Sequence, residues 1–112
     1  MTAESDTRKI AELNDLARKA MGIACRLVIT QGIASLPSHD QSVIREKVER
    51  FSDFTPDNDP HGERDFGVFE HHGRRIFWKL DYYDKTMTMG SEDPADPTQT
   101  VRVLTIMLAS EY

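Results

Sequence analysis

An alternation of apolar and polar side chains over residues 65–83, interrupted by His72-Gly73, most limits how this chain can fold. A period of two sends successive side chains to opposite faces of a strand. A glycine in a two-residue connection accepts the positive φ that tight hairpin turns require. The pattern therefore predicts an antiparallel hairpin with strands over 65–71 and 74–83. The core-facing side of the second strand is expected to carry Ile76, Trp78, Leu80 and Tyr82.

Two segments that precede the hairpin have the spacing of amphipathic helices. Residues 7–21 repeat apolar side chains at helical intervals and end before Gly22, a residue suited to a helix C-terminus. Residues 38–51 show a similar spacing, and Ser38 stands where a capping box would begin. Between the two segments, residues 24–30 are rich in β-branched side chains and predict a strand.

The last part of the chain carries conflicting signals. Asp96, Pro97 and Gln99 have the order of residues that begin a helix, and they favour a helix that reaches about Ser110. The segment inside that range is apolar on nearly all sides and rich in β-branched residues, so a strand stays open as an alternative. Residues 86–89 are an optional short edge strand in this interpretation.

Together these elements predict an α+β domain with the order α-β-α-β-β-(β)-α. We expect a small, mainly antiparallel sheet of three to four strands, with three helices packed on one of its faces. The length of 112 residues suits a single domain over residues 1–112. Residues 1–6 are expected to form a flexible tail, since the apolar periodicity begins after them.

The distribution of charge narrows the classes of partner. Of the 19 acidic and 14 basic residues, 11 acidic and 5 basic ones lie within residues 51–100. Such an acidic block repels a polyanion and disfavours direct binding to a nucleic-acid backbone. No apolar run approaches the roughly 20 residues of a membrane span, and the N-terminus lacks the apolar segment of a secretory signal. A cytoplasmic protein without membrane contact is therefore expected.

The long connection after the second helix imitates a metal loop. Asp57, Asp59 and His61, followed by Gly62, resemble the start of a calcium-binding loop. Histidine is a poor calcium ligand, however, and Val68 stands where such a loop needs a bidentate glutamate. The pattern favours turns shaped by Asp and Asn side chains instead, and we assign no metal ligand in this connection.

Three histidines suggest a zinc site that the strand geometry opposes. His61, His71 and His72 are near one another in sequence, and carboxylates surround them at Glu63, Asp65, Asp81 and Asp84. Zinc accepts imidazole and carboxylate ligands together. Adjacent residues of a strand point to opposite faces, so His71 and His72 reach one ion only if the chain twists there. We therefore expect surface histidines at the hairpin tip.

No coherent catalytic set emerges from the remaining residues. Asp81 and Asp84 would act as a general acid and base only if their carboxylates lay close together, and sequence gives no such distance. The basic and aromatic residues of 74–83 could stack bases, but Trp78 belongs to the face predicted to be core. Cys25 lies in an apolar strand and is expected to be a buried structural thiol. No catalytic residue and no cofactor are assigned.

Four stretches of the chain resemble a known protein family. They are DFTPDNDPHGERDFG (53–67), FWKLDYYD (77–84), GSEDPADP (90–97) and RVLTIMLASEY (102–112). The family, a domain of unknown function, comprises small uncharacterised alphaproteobacterial proteins that often occur on plasmids and other mobile elements. The resemblance spans nearly the whole chain and implies a bacterial cytoplasmic accessory protein. It brings no activity and no residue roles to this sequence.

The leading hypothesis is a non-enzymatic interaction module that binds a basic protein partner. One variant is an acidic mimic of DNA that inhibits a nucleic-acid enzyme, although a net charge of −5 is low for such a mimic. The alternative is a small hydrolase, metal-dependent or carboxylate-based, that uses the 57–65 loop. For the module, the residues expected to contact the partner are the acidic loop residues and one aromatic anchor, namely Asp57, Asp59, Glu63, Glu92, Asp93 and Tyr83.

Overall fold

The computed structural model describes residues 3–112, with side chains from residue 6 onward. Over these residues the predicted α+β class is confirmed, with three helices and a four-stranded sheet. Helix α1 begins inside the segment expected to be a flexible tail; residues 1 and 2 of that segment lie outside the described residues. The elements are α1 (Ala3–Lys19), β1 (Arg26–Ile29), α2 (Gln31–Ala34), α3 (Ser38–Glu49), β2 (Phe66–His71), β3 (Arg74–Tyr83), β4 (Val101–Leu108) and a terminal 3-10 turn (Ala109–Glu111).

The sheet is mixed, with the strand order β1-β4-β3-β2. The predicted hairpin is present, and its two strands pair antiparallel from Phe66 opposite Lys79 to His71 opposite Arg74. Both turn residues take the left-handed conformation, with φ of 50° at His72 and 78° at Gly73, as a tight hairpin turn requires. Strand β4 pairs antiparallel with β3 and parallel with β1, so it lies inside the sheet.

The helix predicted over residues 96–110 is wrong, and the strand alternative is right. Leu104 and Ile106 of β4 are fully buried beneath the helices, while Val103 and Met107 are buried on the opposite side. A central strand covered on both faces is apolar throughout, which produces the same pattern as a buried helix. The cap signals belong to a turn in which Asp96 accepts hydrogen bonds from Thr98 and Gln99.

Two smaller expectations also fail. Residues 86–89 form a turn rather than an edge strand, with Met87 at φ 60° and the Asp84 carboxylate accepting a bond from the Thr88 amide. Ser38 is the first residue of α3 and not its cap, because Pro37 occupies that position. Gln41, the second residue of the expected capping box, donates its side-chain hydrogen bond to the Leu36 carbonyl in the loop before α3. Polar side chains often bond to nearby loop backbone in this way.

The main core lies between the sheet and the helices. Ile76, Trp78 and Leu80 of β3 face the helices and are at most 3% exposed. Ile44 and Val48 of α3 are fully buried in the same cluster, with Ala17 of α1 and Ile33 of α2. The burial of this face follows the alternation along β3, so the predicted core side of the hairpin is correct for these residues.

Candidate functional site

Two acidic loops meet at one end of the sheet. Strand β2 begins, β3 ends and β4 begins at this end, so the connections 52–65 and 84–100 lie side by side. We call this region the acidic end. It holds nine of the 19 acidic residues and two of the 14 basic ones. The acidic residues are Asp53, Asp57, Asp59, Glu63, Asp65, Asp84, Glu92, Asp93 and Asp96, and the basic ones are Arg64 and Lys85.

A buried polar cluster joins the two loops beneath the acidic end. Asn14 of α1 is fully buried and donates hydrogen bonds to the Glu63 carbonyl at 2.9 Å and to the Tyr82 hydroxyl at 2.7 Å. Its side-chain oxygen accepts a bond from Arg102 Nε at 2.8 Å. Arg102 also donates to the Pro94 carbonyl. One amide therefore connects the first loop, through Glu63, with the second loop, through Arg102 and Pro94.

Burial shifts the pKa values of Tyr82 and Arg102 in this cluster. Desolvation raises the pKa of the Tyr82 hydroxyl far above its ordinary value, so the hydroxyl stays protonated and can donate to Glu63 Oε1 at 2.9 Å. Desolvation also lowers the pKa of Arg102, whose guanidinium lies 5.2 Å from the centre of the Tyr82 ring. Among the described residues, no carboxylate forms an ion pair with Arg102; two neutral acceptors, the Tyr82 ring and the more distant charge of Glu63 stabilise the guanidinium.

Asp57 and Glu92 are the predicted contact residues that remain open to a partner. Both side chains are exposed, and neither forms a hydrogen bond or an ion pair with the part of the chain that the structure describes. Tyr83 is half-buried at the end of β3, opposite Val101. Successive residues of a strand alternate, so Tyr83 lies on the sheet face opposite to Tyr82.

The other three predicted contact residues have structural partners. Asp59 accepts a bond from the Arg64 amide, and Asp93 accepts one from the Ala95 amide, so both shape their own loops. Glu63 is turned inward to the Tyr82 hydroxyl. Five of the six predicted residues thus lie in the acidic end and Tyr83 directly precedes its second loop, but three of the five also hold the loops in shape.

Burial of Asp65, together with repulsion from neighbouring carboxylates, gives a testable pH dependence of stability. Burial, followed by repulsion from Glu63 and Asp59, raises the pKa of Asp65 above 3.8. The folded chain then holds this proton more tightly than the unfolded chain, so ionisation of Asp65 costs stability as the pH rises past 3.8 and the cost persists at neutral pH. We expect Asp65→Asn to melt a few degrees higher than the wild type at neutral pH.

The control for this prediction is Asp57→Asn, which neutralises an exposed carboxylate of the same loop. Melting curves of both variants should be recorded by circular dichroism from neutral pH down to about pH 3, below the ordinary pKa of aspartate. The advantage of Asp65→Asn should disappear at the acidic limit. A gain that is independent of pH, or one shared by Asp57→Asn, would contradict the role of Asp65 ionisation.

A second group of polar residues lies at the opposite end of the sheet. Asp40 of α3, His71 and His72 offer ligand atoms within 4.8 Å of one another. His71 Nε2 is 2.9 Å and His72 Nε2 is 3.8 Å from Asp40 Oδ1. The hydrogen bond with His71 lowers the pKa of Asp40. We call these three residues the hairpin-tip cluster.

The expectation that His71 and His72 diverge is wrong, and only His72 is the surface histidine expected at the hairpin tip, because His71 is buried. The left-handed φ of 50° at His72 takes this residue out of the strand alternation, and the two rings approach to 4.3 Å between centroids. The predicted third histidine, His61, lies in the 52–65 loop at the acidic end, and Asp40 takes its place. The sequence does not single out Asp40, because an acidic residue in the first turn of a helix is common and says nothing about distant histidines.

The described helices include none that is both long and apolar enough to cross a bilayer. No curated protein and no solved structure matches this chain. A family model described as "Protein of unknown function (DUF3768)" matches residues 29–111. This match begins in β1 and extends through the acidic end to the terminal 3-10 turn. Because it spans well over half of the chain, the protein belongs to the DUF3768 family of proteins of unknown function.

Proposed function

We propose that this protein is a non-enzymatic interaction module whose acidic end binds a basic protein. The observation that carries the proposal is the joining of two acidic loops at one end of the sheet by the buried Asn14 cluster. A surface held in one arrangement before binding loses less conformational entropy when a partner docks. The bacterial cytoplasm, as the sequence resemblance implies, is the setting of this proposal.

Charge complementarity selects the partner. The acidic end combines nine acidic residues with two basic ones, while the rest of the chain holds ten acidic and twelve basic residues. The negative potential is therefore concentrated at one end of the molecule rather than spread over it. A patch of one sign steers an oppositely charged partner and repels polyanions. A basic patch on a nucleic-acid enzyme, the target of the DNA-mimic variant, has this chemistry.

The alternative hydrolase has no supporting geometry among the described residues. Asp57 and His61 of the 57–65 loop are exposed, and Asp59 is engaged with the Arg64 amide. The grouping of metal-ligating side chains that the described chain does contain is the hairpin-tip cluster, at the other end of the sheet. We therefore place the interaction module first.

The test neutralises the two open carboxylates. The double variant Asp57→Asn/Glu92→Gln should bind a fluorescent lysine-rich peptide about two- to thirtyfold more weakly than the wild type, because exposed charge pairs contribute about 0.2–1 kcal/mol each. The matched control, Glu12→Gln/Glu49→Gln, removes the same charge from exposed positions on α1 and α3. Fluorescence anisotropy at low and physiological salt measures both, and a neutral peptide of equal length reports non-specific binding.

The same three proteins should then be immobilised to capture basic proteins from a bacterial lysate. The proposal expects a salt-sensitive partner that the wild type and the control retain and that the Asp57/Glu92 variant loses. Equal losses in both variants would show that net charge alone is responsible. Equal retention by all three would remove the acidic end as the binding surface.

A further inference from the structure

We propose that Asp40, His71 and His72 form a binding site for a divalent transition-metal ion of the zinc class. The carboxylate comes from the first turn of α3 and the two imidazoles from the tip of the β2–β3 hairpin. These elements are 31 residues apart in sequence, so the fold itself assembles the ligand set. The site is independent of the acidic end, which lies at the opposite end of the sheet.

The distances suit a tetrahedral ion. Zinc binds imidazole nitrogen and carboxylate oxygen at about 2.0–2.2 Å, which separates neighbouring ligand atoms by about 3.3 Å. The separations from Asp40 Oδ1, 2.9 Å to His71 Nε2 and 3.8 Å to His72 Nε2, bracket that value. The His72 side chain is 73% exposed and can adjust its rotamer without disturbing the core. Three protein ligands leave the fourth position to water.

The ligand types select the metal. Two imidazoles and one carboxylate suit zinc and its neighbours, whereas calcium and magnesium prefer sites made of oxygen ligands alone.

Lys47 holds the site in its metal-free arrangement. Lys47 Nζ is 3.2 Å from His71 Nδ1, so the ammonium donates to that nitrogen and the ring carries its proton on Nε2, toward Asp40. Zinc bound to Nε2 requires this proton to move to Nδ1, where the ring can no longer accept from Lys47. The exposed Lys47 side chain must then turn away. Lys47 therefore competes with the metal.

The decisive measurement is zinc binding by tag-free protein. The wild type should bind one Zn²⁺ in a competition titration against a chromogenic chelator, and Co²⁺ should give the intense visible absorption of tetrahedral coordination. Mg²⁺ and Ca²⁺ should displace neither the bound Zn²⁺ nor the bound Co²⁺. His72→Asn should lower the zinc affinity by about 100-fold or more, because even residues that only support metal ligands contribute about 10–100-fold to metal affinity. Asparagine also tolerates the positive φ at this position.

His61→Asn is the matched control, since it removes an exposed histidine at the acidic end and should leave zinc affinity unchanged. Lys47→Met removes the ammonium, which lies 3.2 Å from His71 Nδ1 and 5.7 Å from the centre of the Phe69 ring, and should raise zinc affinity at least severalfold. Failure of the wild type to bind zinc would overturn the proposal, as would equal binding by His72→Asn and His61→Asn. Weaker binding in Lys47→Met would contradict the competition between Lys47 and the metal.

Discussion

Replacing Gly67 by alanine is expected to destabilise the protein by about 3 kcal/mol, at the upper end of what overpacking a core usually costs. Gly67 lies directly opposite Trp78 across the hairpin. A Cβ at Gly67 would come within 2.2 Å of Trp78 Nε1 and within 2.6 Å of Cε2. Real side chains do not approach so closely, so either the strand or the indole ring has to move.

The indole ring has little freedom to move. Trp78 is fully buried, and the rings of Phe51 and Phe54 pack against it edge to face. Their centroids lie 5.5 and 6.1 Å from the centroid of the indole ring. The Arg18 guanidinium lies 5.0 Å from the same ring and donates to the Val48 carbonyl at the end of α3. A shift of Trp78 would therefore disturb α3 as well as the sheet, because a close-packed interior transmits strain.

Gly90→Ala is the control for this prediction, since a Cβ at Gly90 would meet only the Tyr82 carbonyl, at an ordinary 3.8 Å. Urea unfolding followed by circular dichroism gives the free energy of unfolding of both variants. The cost of Gly67→Ala should shrink when Trp78→Phe is also present, because the smaller ring vacates part of the space. Similar stabilities for the two alanine variants would refute the close-contact argument.

Replacing Asn14 by leucine should cost about 3–5 kcal/mol, because three hydrogen bonds are lost at once and each buried group left unsatisfied costs about 1–3 kcal/mol, more when it is charged. The side chain is similar in size, but it can neither accept from Arg102 nor donate to Tyr82 and the Glu63 carbonyl. The Arg102 guanidinium would lose one of its neutral acceptors while it remains 5% exposed. A buried polar group without its partner carries its full desolvation cost.

The effect should also reach the loops that Asn14 joins. Hydrogen exchange should become faster over residues 52–65 and 84–100 in Asn14→Leu, while the β2–β3 hairpin turn keeps its wild-type rate. Glu12→Ala, an exposed change on the same helix, should lose less than about 0.5 kcal/mol, as surface substitutions usually do. If Asn14→Leu unfolds like Glu12→Ala, the buried cluster does not hold the acidic end together.

The hairpin shows how far local pattern reaches. The period-two alternation and His72-Gly73 predict both strands to within one residue of their observed bounds. The acidic character of the two loops is likewise readable from composition. These features are decided by neighbours a few positions apart, because turn conformations and strand alternation depend on local backbone geometry.

The C-terminal segment shows where local pattern fails. Residues 101–108 carry an apolar run that a buried helix and a central strand share, and the preceding Asp96 turn imitates a helix start. Pairing with β1 and β3 decides the outcome. Tertiary pairing overrides local propensity in such cases, because the strand satisfies its backbone hydrogen bonds on both sides.

The sequence by itself determined the fold class, the hairpin, the helix α3 and the presence of two acidic loops. Only the tertiary structure decided that Asp40 meets His71 and His72, and that Asn14 meets Arg102. These partners are separated by 31 and 88 residues. Contacts at such separations form when packing of the core brings distant segments together, and no periodicity within one segment specifies its partner in another.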